Sequence, residues 1–222
     1  MPINGGNSPP DTFCSVPCVT VLAMTFACLD FETANQSDAS ICAAGLAVFV
    51  DGELTESLYR LIKPPKGHGH FREDFTEIHG LTWFDVQHSP EFPILAAELL
   101  PRLTAADFVV AHNAAFDLRK LRGTLCHFDI PCPEFRHLCT LQLARRVWPG
   151  LPDYQLSTLV SHIGHSFHHH HAQADAEAAG RVLLAMMKHA GTTCPFELAR
   201  TFGMAIPTCR SNADSPATEV SK

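Results

Sequence analysis

The stretch Val21-Leu22-Ala23-Met24-Thr25-Phe26-Ala27-Cys28-Leu29-Asp30-Phe31-Glu32-Thr33 decides the fold: it is a long apolar run closed by two acids. Side chains alternate along a strand, so Asp30 and Glu32 at i and i+2 project from one face. The run is apolar on both faces, which predicts a strand in the middle of a sheet. Its carboxyl end, where both acids sit, is where open α/β sheets place ligands. Two carboxylates pointing the same way suit a divalent metal; taken alone, they also read as an ordinary solvated strand end.

Outward from that strand, apolar stretches at about 20–31, 41–50 and 54–62 predict three strands, with Asp51-Gly52 as a hairpin turn between the second and third. An antiparallel meander follows. The pattern then switches to alternating helix and strand. Helical spacing runs over Phe92 to Leu103, a short buried strand over Phe108 to Ala111, and a helix over Ala114 to Leu125 with Asn113 placed to cap it. A strand near Arg136 to Cys139 leads into Thr140 to Val147. A helix near Leu156 to Ile163 precedes a long Ala-rich helix from about Ala172 to His189, stopped by Gly191. The expected architecture is α/β: a mixed sheet, with an antiparallel three-strand meander plus parallel strands, flanked by helices. Residues 1–18 lack periodicity and read as a mobile lead-in, 19–190 as the folded domain, and 191–222 as a short C-terminal extension, mobile after about Pro207.

The chain has 222 residues, room for one α/β domain with a proper core, and a formal net charge of −7. That charge argues against a wide electropositive groove gripping many phosphates. It agrees with carboxylates gathered around cations, which would restore the local potential. Nine cysteines form no CxxC and no zinc-site spacing, so they read as reduced thiols, with Cys28 and Cys42 in the core. No secretion signal is evident, and the Val19 to Leu29 run is too short to span a bilayer, so the expected setting is cytoplasmic, away from membranes.

Two further segments carry chemistry. In Val109-Val110-Ala111-His112-Asn113-Ala114-Ala115-Phe116-Asp117, a buried strand ends and a helix begins, placing Asp117 in a first turn that favours its ionised form. In His168-His169-His170-His171-Ala172-Gln173-Ala174-Asp175-Ala176, Asp175 opens the long helix. A histidine five residues earlier lies through roughly 500° of helical turn and cannot share its face, so it belongs to the preceding loop. There it suits a general base near a metal-bound water. Each segment also has a plain structural reading, as a dipole-complementing acid or a partly exposed histidine loop.

Together these segments resemble the DEDDh branch of the DEDD superfamily of 3'-to-5' exonucleases, the DnaQ-like group that includes the proofreading epsilon subunit of bacterial DNA polymerase III. Asp30-Phe31-Glu32-Thr33 is similar to the first family motif, His112-Asn113-Ala114-Ala115-Phe116-Asp117 to the second, and His170-x-Ala172-x-x-Asp175-Ala176 to the third. Ile78-His79-Gly80-Leu81-Thr82 resembles a segment lining the nucleotide pocket, and the likeness spans about residues 20–190. The resemblance implies a ribonuclease-H-like fold, with Asp30, Glu32, Asp117 and Asp175 as ligands of two divalent cations, Mg²⁺ or Mn²⁺, and His170 as general base. His171 stands where the sister branch has tyrosine. It implies that Phe31, Thr33, His79, Leu81, Asn113 and Phe116 touch the terminal nucleotide. The implied activity is metal-dependent 3'-to-5' exonucleolytic hydrolysis releasing 5'-monophosphates from single-stranded or frayed ends, DNA before RNA, in repair or proofreading. A non-catalytic nucleic-acid-binding module is the contrasting class, against which all five residues stand. Association with a sliding clamp rests on Gln155-Leu156-Ser157-Thr158-Leu159-Val160, which loosely resembles clamp-binding peptides, while association with a DNA polymerase is implied only by the resemblance to a polymerase-associated subunit.

Overall fold

The computed structural model describes residues 24–166 and 170–210. The expected lead-in over 1–18, and His168 and His169, lie outside the described residues. A six-stranded sheet has the order β3-β2-β1-β4-β5-β6. β1 (Thr25–Thr33), β2 (Ile41–Val50) and β3 (Glu53–Leu61) form the antiparallel meander, while β4 (Phe108–Ala111) and β5 (Phe135–Cys139) add in parallel beside β1. The hairpin turn falls at Asp51 and Gly52, both at positive φ (51° and 85°), as a two-residue turn matched to strand twist requires.

β1 is central, as its two apolar faces demand. Phe26 and Cys28 face one core with α5 (Thr140–Val147), α6 (Leu156–His162), α7 (Ala172–Ala190) and α8 (Pro195–Thr201). Ala27, Leu29 and Phe31 face the other core, with α3 (Phe92–Ala105) and α4 (Ala114–His127). Cys28 and Cys42 are fully buried, as expected. α7 ends on Gly191 at φ 67°, whose N–H bonds back to Lys188 and Met187 carbonyls.

Several features differ from the sequence expectation. Two short helices, α1 (Glu73–His79) and α2 (Trp83–Val86), occupy the connection before α3; neither carries a long apolar stripe, so periodicity gave no signal. The segment after Gly191 is structured through α8, and Thr208–Cys209, expected in a mobile tail, form β6 against Phe135 and Arg136 of β5. Two residues are too short for strand alternation to register. Asn113 stands at the N-cap of α4 but makes no side-chain cap bond; it sits in the left-handed region at φ 63°, turning the chain sharply from β4 into the helix. No described helix is long and apolar enough to cross a membrane.

Candidate active site

The site is assembled at the carboxyl end of β1. Asp30 and Glu32 share the Cys28 face, which looks toward α7. Asp30 pairs in register with Gly45 of β2. A Cβ on Gly45 would lie 2.0 Å from the Ala172 backbone carbonyl and 2.3 Å from the Gln173 nitrogen, so only glycine lets the first turn of α7 press onto the sheet at this level. That approach delivers Asp175. Asp30, Glu32 and Asp175 each offer a carboxylate oxygen, and these atoms all lie within 4.8 Å of one another.

Asp117 arrives from the opposite layer and is not in that three-carboxylate group. It is 2% exposed, and its Oδ1 accepts the N–H of Phe31 at 3.1 Å, which ties the first turn of α4 to the backbone between the two strand acids. The acids repel. Burial, then the charges of Asp117, Glu32 and Asp175, push the Asp30 carboxyl well above its ordinary range. Burial and Asp175 raise Glu32 to about 7. Burial raises Asp117 despite the opposing Phe31 N–H, and Glu32 and Asp175 add to it. An all-oxygen donor set with unneutralised mutual repulsion fits a hard divalent cation.

The three carboxylates line a cavity of about 530 Å³ together with Phe31, His112, Asn113, Leu141, Arg145, Tyr154 and His170. His170 stands at positive φ, 63°, in the turn before α7. Its neighbour His171 turns elsewhere: its ring stacks on Tyr59 of β3 with centroids 4.2 Å apart. His79 is a brace. Leu81 N–H donates to its Nδ1 at 3.0 Å, so Nε2 carries the proton given to the Thr33 carbonyl at 3.1 Å; the ring is neutral, and burial lowers its pKa accordingly. His79 thereby pins α1 to the end of β1. Of the residues expected to touch a nucleotide, Phe31 and Asn113 line the cavity. Thr33, Leu81 and Phe116 lie outside its lining, and Phe116 sits beneath Lys120, whose Nζ is 5.4 Å from the ring centroid.

Sequence reasoning missed Leu141, Arg145 and Tyr154. They come from α5 and the loop before α6, where no local motif marks them; Arg145 lies 5.8 Å over the Tyr154 ring and is the one Lys or Arg in this lining. A larger cavity of about 700 Å³ lies between α4, β5 and α5 and is lined by none of the four carboxylates, three of which line the smaller one. The clamp-like peptide folds into α6 with Leu156, Leu159 and Val160 buried, which removes its apolar residues from any partner.

Comparisons with known proteins show the family and the fold. Residues 27–183 match the exonuclease family RNase_T. The 3'-5' exonuclease DinG of Bacillus subtilis is 30% identical over 169 residues, covering 73% of this chain and 18% of that protein. Exodeoxyribonuclease 10 of Escherichia coli is 27% identical over 172 residues, covering 74% of this chain and 70% of that protein. The chain thus spans under a fifth of the DinG protein's length and 70% of the second relative's. Exonuclease X, solved in complex with 5' overhanging duplex DNA, superposes with a TM-score of 0.62 at 24% identity, over 80% of this chain and 99% of that one. The mixed sheet with flanking helices is the ribonuclease-H-like exonuclease fold. The chain belongs to the RNase_T exonuclease family, a DnaQ-like family of 3'-to-5' nucleic-acid exonucleases.

Proposed function

We propose that the chain removes nucleotides from DNA 3' ends, with Asp30, Glu32, Asp117 and Asp175 holding two divalent cations, Mg²⁺ or Mn²⁺, and His170 acting as general base. The carrying observation is the group of three carboxylates on one cavity wall with His170 lining the same cavity. Divalent metal use is normal in the family. What such ions supply when bound is positive charge for the phosphoryl oxygens and an acidified attacking water.

The chain's own residues do the rest. His170 takes the water's proton at a ring nitrogen, a task suited to the side chain that titrates nearest neutrality. Asp117, with one oxygen fixed by the Phe31 N–H, locks the α4 layer to the strand that bears Asp30 and Glu32. Phe31, with Leu141 and Tyr154, offers apolar and aromatic surface for stacking on a terminal base, which any base satisfies. Asn113 adds a polar contact at the same wall. Thr33, His79, Leu81 and Phe116 act one layer out, with His79 holding the Thr33 carbonyl that follows the strand acids. DNA is favoured because one relative is named an exodeoxyribonuclease and one fold neighbour, Exonuclease X, was solved with duplex DNA.

An assay on end-labelled single-stranded DNA, mismatched duplex and RNA, with Mg²⁺, Mn²⁺ or chelator, tests this reading. The expected result is stepwise release of 5'-monophosphates from DNA 3' ends, lost with chelator and absent on circular single strands. Cutting of circles would replace the terminal-pocket reading with an endonuclease, and faster turnover of RNA would reassign the substrate.

A further inference from the structure

Two of the nine cysteines are far apart in sequence and adjacent in space. β6 pairs antiparallel with β5, setting Cys209 opposite Phe135, and the chain entering β5 carries Cys132. Their sulfurs are 3.7 Å apart across a sequence separation of 77 residues. Cys209 is 1% exposed, whereas Cys132 is half-buried and reachable from solvent. Arg122 of α4 lies beside both sulfurs, and its Nε is buried with no hydrogen-bond partner among the described residues. Nothing in the exonuclease site uses any of these groups.

We propose that Cys132 and Cys209 form a thiol–disulfide exchange site that takes a low-molecular-weight disulfide and closes a reversible intrachain bridge. A protein disulfide needs its sulfurs about 2.05 Å apart, and here they already stand in van der Waals contact. Cys132, the accessible sulfur, attacks one sulfur of the small disulfide; that S–S bond breaks, and one small thiol leaves. Cys209 then attacks the Cys132 sulfur of the mixed disulfide, forming the intrachain bond and expelling the second small thiol. The protein loses two electrons, which reduce the small disulfide, and its two thiol protons depart on the two released thiols. The hydrogen bond between the two sulfurs lowers the Cys209 thiol against burial and raises that of Cys132, while the Arg122 charge favours a thiolate at either. Moving the shared proton across the 3.7 Å contact puts the charge on the accessible Cys132, the sulfur that attacks. The bridge would enclose α5, α6, α7 and α8, including His170 and Asp175, in one closed loop.

The test uses the full chain, oxidised glutathione as probe, and peptide mapping without reductant. Expected are a Cys132–Cys209 disulfide, two glutathione molecules released per bridge, and a thermal midpoint higher by about 5–10 °C that dithiothreitol reverses. Cys209→Ser and Cys209→Ala should each trap glutathione on Cys132, and Cys132→Ser should leave Cys209 unmodified. A wild-type chain that accumulates glutathione on Cys132 without closing the bridge, or in which Cys209 reacts equally fast after Cys132→Ser, would overturn the proposal.

Discussion

Two charged groups drawn wholly or partly out of solvent flank the turn after β1, and they solve the same problem in opposite ways. Lys120 of α4 is fully buried, yet its Nζ donates to the carbonyls of Asn35, Gln36 and Ser37 at 3.3, 2.9 and 2.7 Å, so all three of its protons are used inside the chain. Burial lowers its pKa, but three acceptors hold the ammonium in place and clamp the β1–β2 turn onto α4. The carboxylates of Asp30, Glu32 and Asp117 are surrounded instead by one another, and each is pushed up. A buried charge whose partners are all internal serves the fold; a group of like charges held partly out of solvent waits for a counter-charge from outside.

The sharpest way to break this distinction is to remove members of the acidic group. Asp30→Asn and Asp175→Asn should each lower exonuclease turnover by at least about 10³-fold, since ligands that act together are lost together. In chelator, neither should lower the thermal midpoint, because each substitution relieves repulsion. A variant that keeps near wild-type turnover while folded would remove that carboxylate from the catalytic set.

His170 and His171 sharpen the contrast within a single turn. Both precede α7, but His170 lines the cavity while His171 stacks on Tyr59. His170→Ala should cost roughly 10²- to 10⁴-fold in turnover at saturating metal, and His171→Ala no more than about threefold. The reverse ranking would move the base one residue along the chain.

Lys120 should behave as the opposite case. Lys120→Met removes the ammonium from all three carbonyls, of which those of Asn35 and Ser37 keep Ser40 as a donor, so the expected loss is about 2–4 kcal/mol of stability in urea unfolding. Activity of the fraction still folded at low temperature should stay within about tenfold. A catalytic collapse in a stably folded Lys120→Met chain would show that the turn clamp and the acidic site are not separable.

How much of this was legible in the sequence follows from how local each signal was. Asp30 and Glu32 announced themselves by ending an apolar strand, and Asp51-Gly52 by its turn chemistry. Asp117 was legible from its place in a first helical turn, but its bond to the Phe31 N–H was not, because that contact joins residues from different layers. Nor could spacing show why Asp175 reaches Asp30: the reason is Gly45, a glycine inside a strand whose missing Cβ matters only once α7 lies across it. Arg145 and Tyr154 have no periodicity or motif to mark them, and nothing local marks Lys120, a lysine inside an amphipathic helix, as buried. Long-range packing, not propensity, chose all of these.

The smallest effect expected is a pH dependence of stability in the metal-free chain. Glu32 titrates at about 7 in the folded state against an ordinary value of 4.5, so between those limits the folded chain holds a proton that the unfolded chain has released. The slope of stability with pH follows the protons bound unfolded minus folded, which is negative here. The contribution is therefore fully present below about pH 4.5 and is lost as pH rises through about 7; Asp30 and Asp117, also raised, act in the same direction. Glu32→Gln has no proton to lose. With chelator present, its thermal midpoint should match wild type near pH 5 and exceed it by about 4–8 °C at pH 8. Saturating Mg²⁺ should close that gap by supplying the counter-charge to the wild-type carboxylate. If the two chains instead show parallel midpoints across the range in chelator, Glu32 is already ionised at low pH and the acidic group is not under the strain its geometry implies.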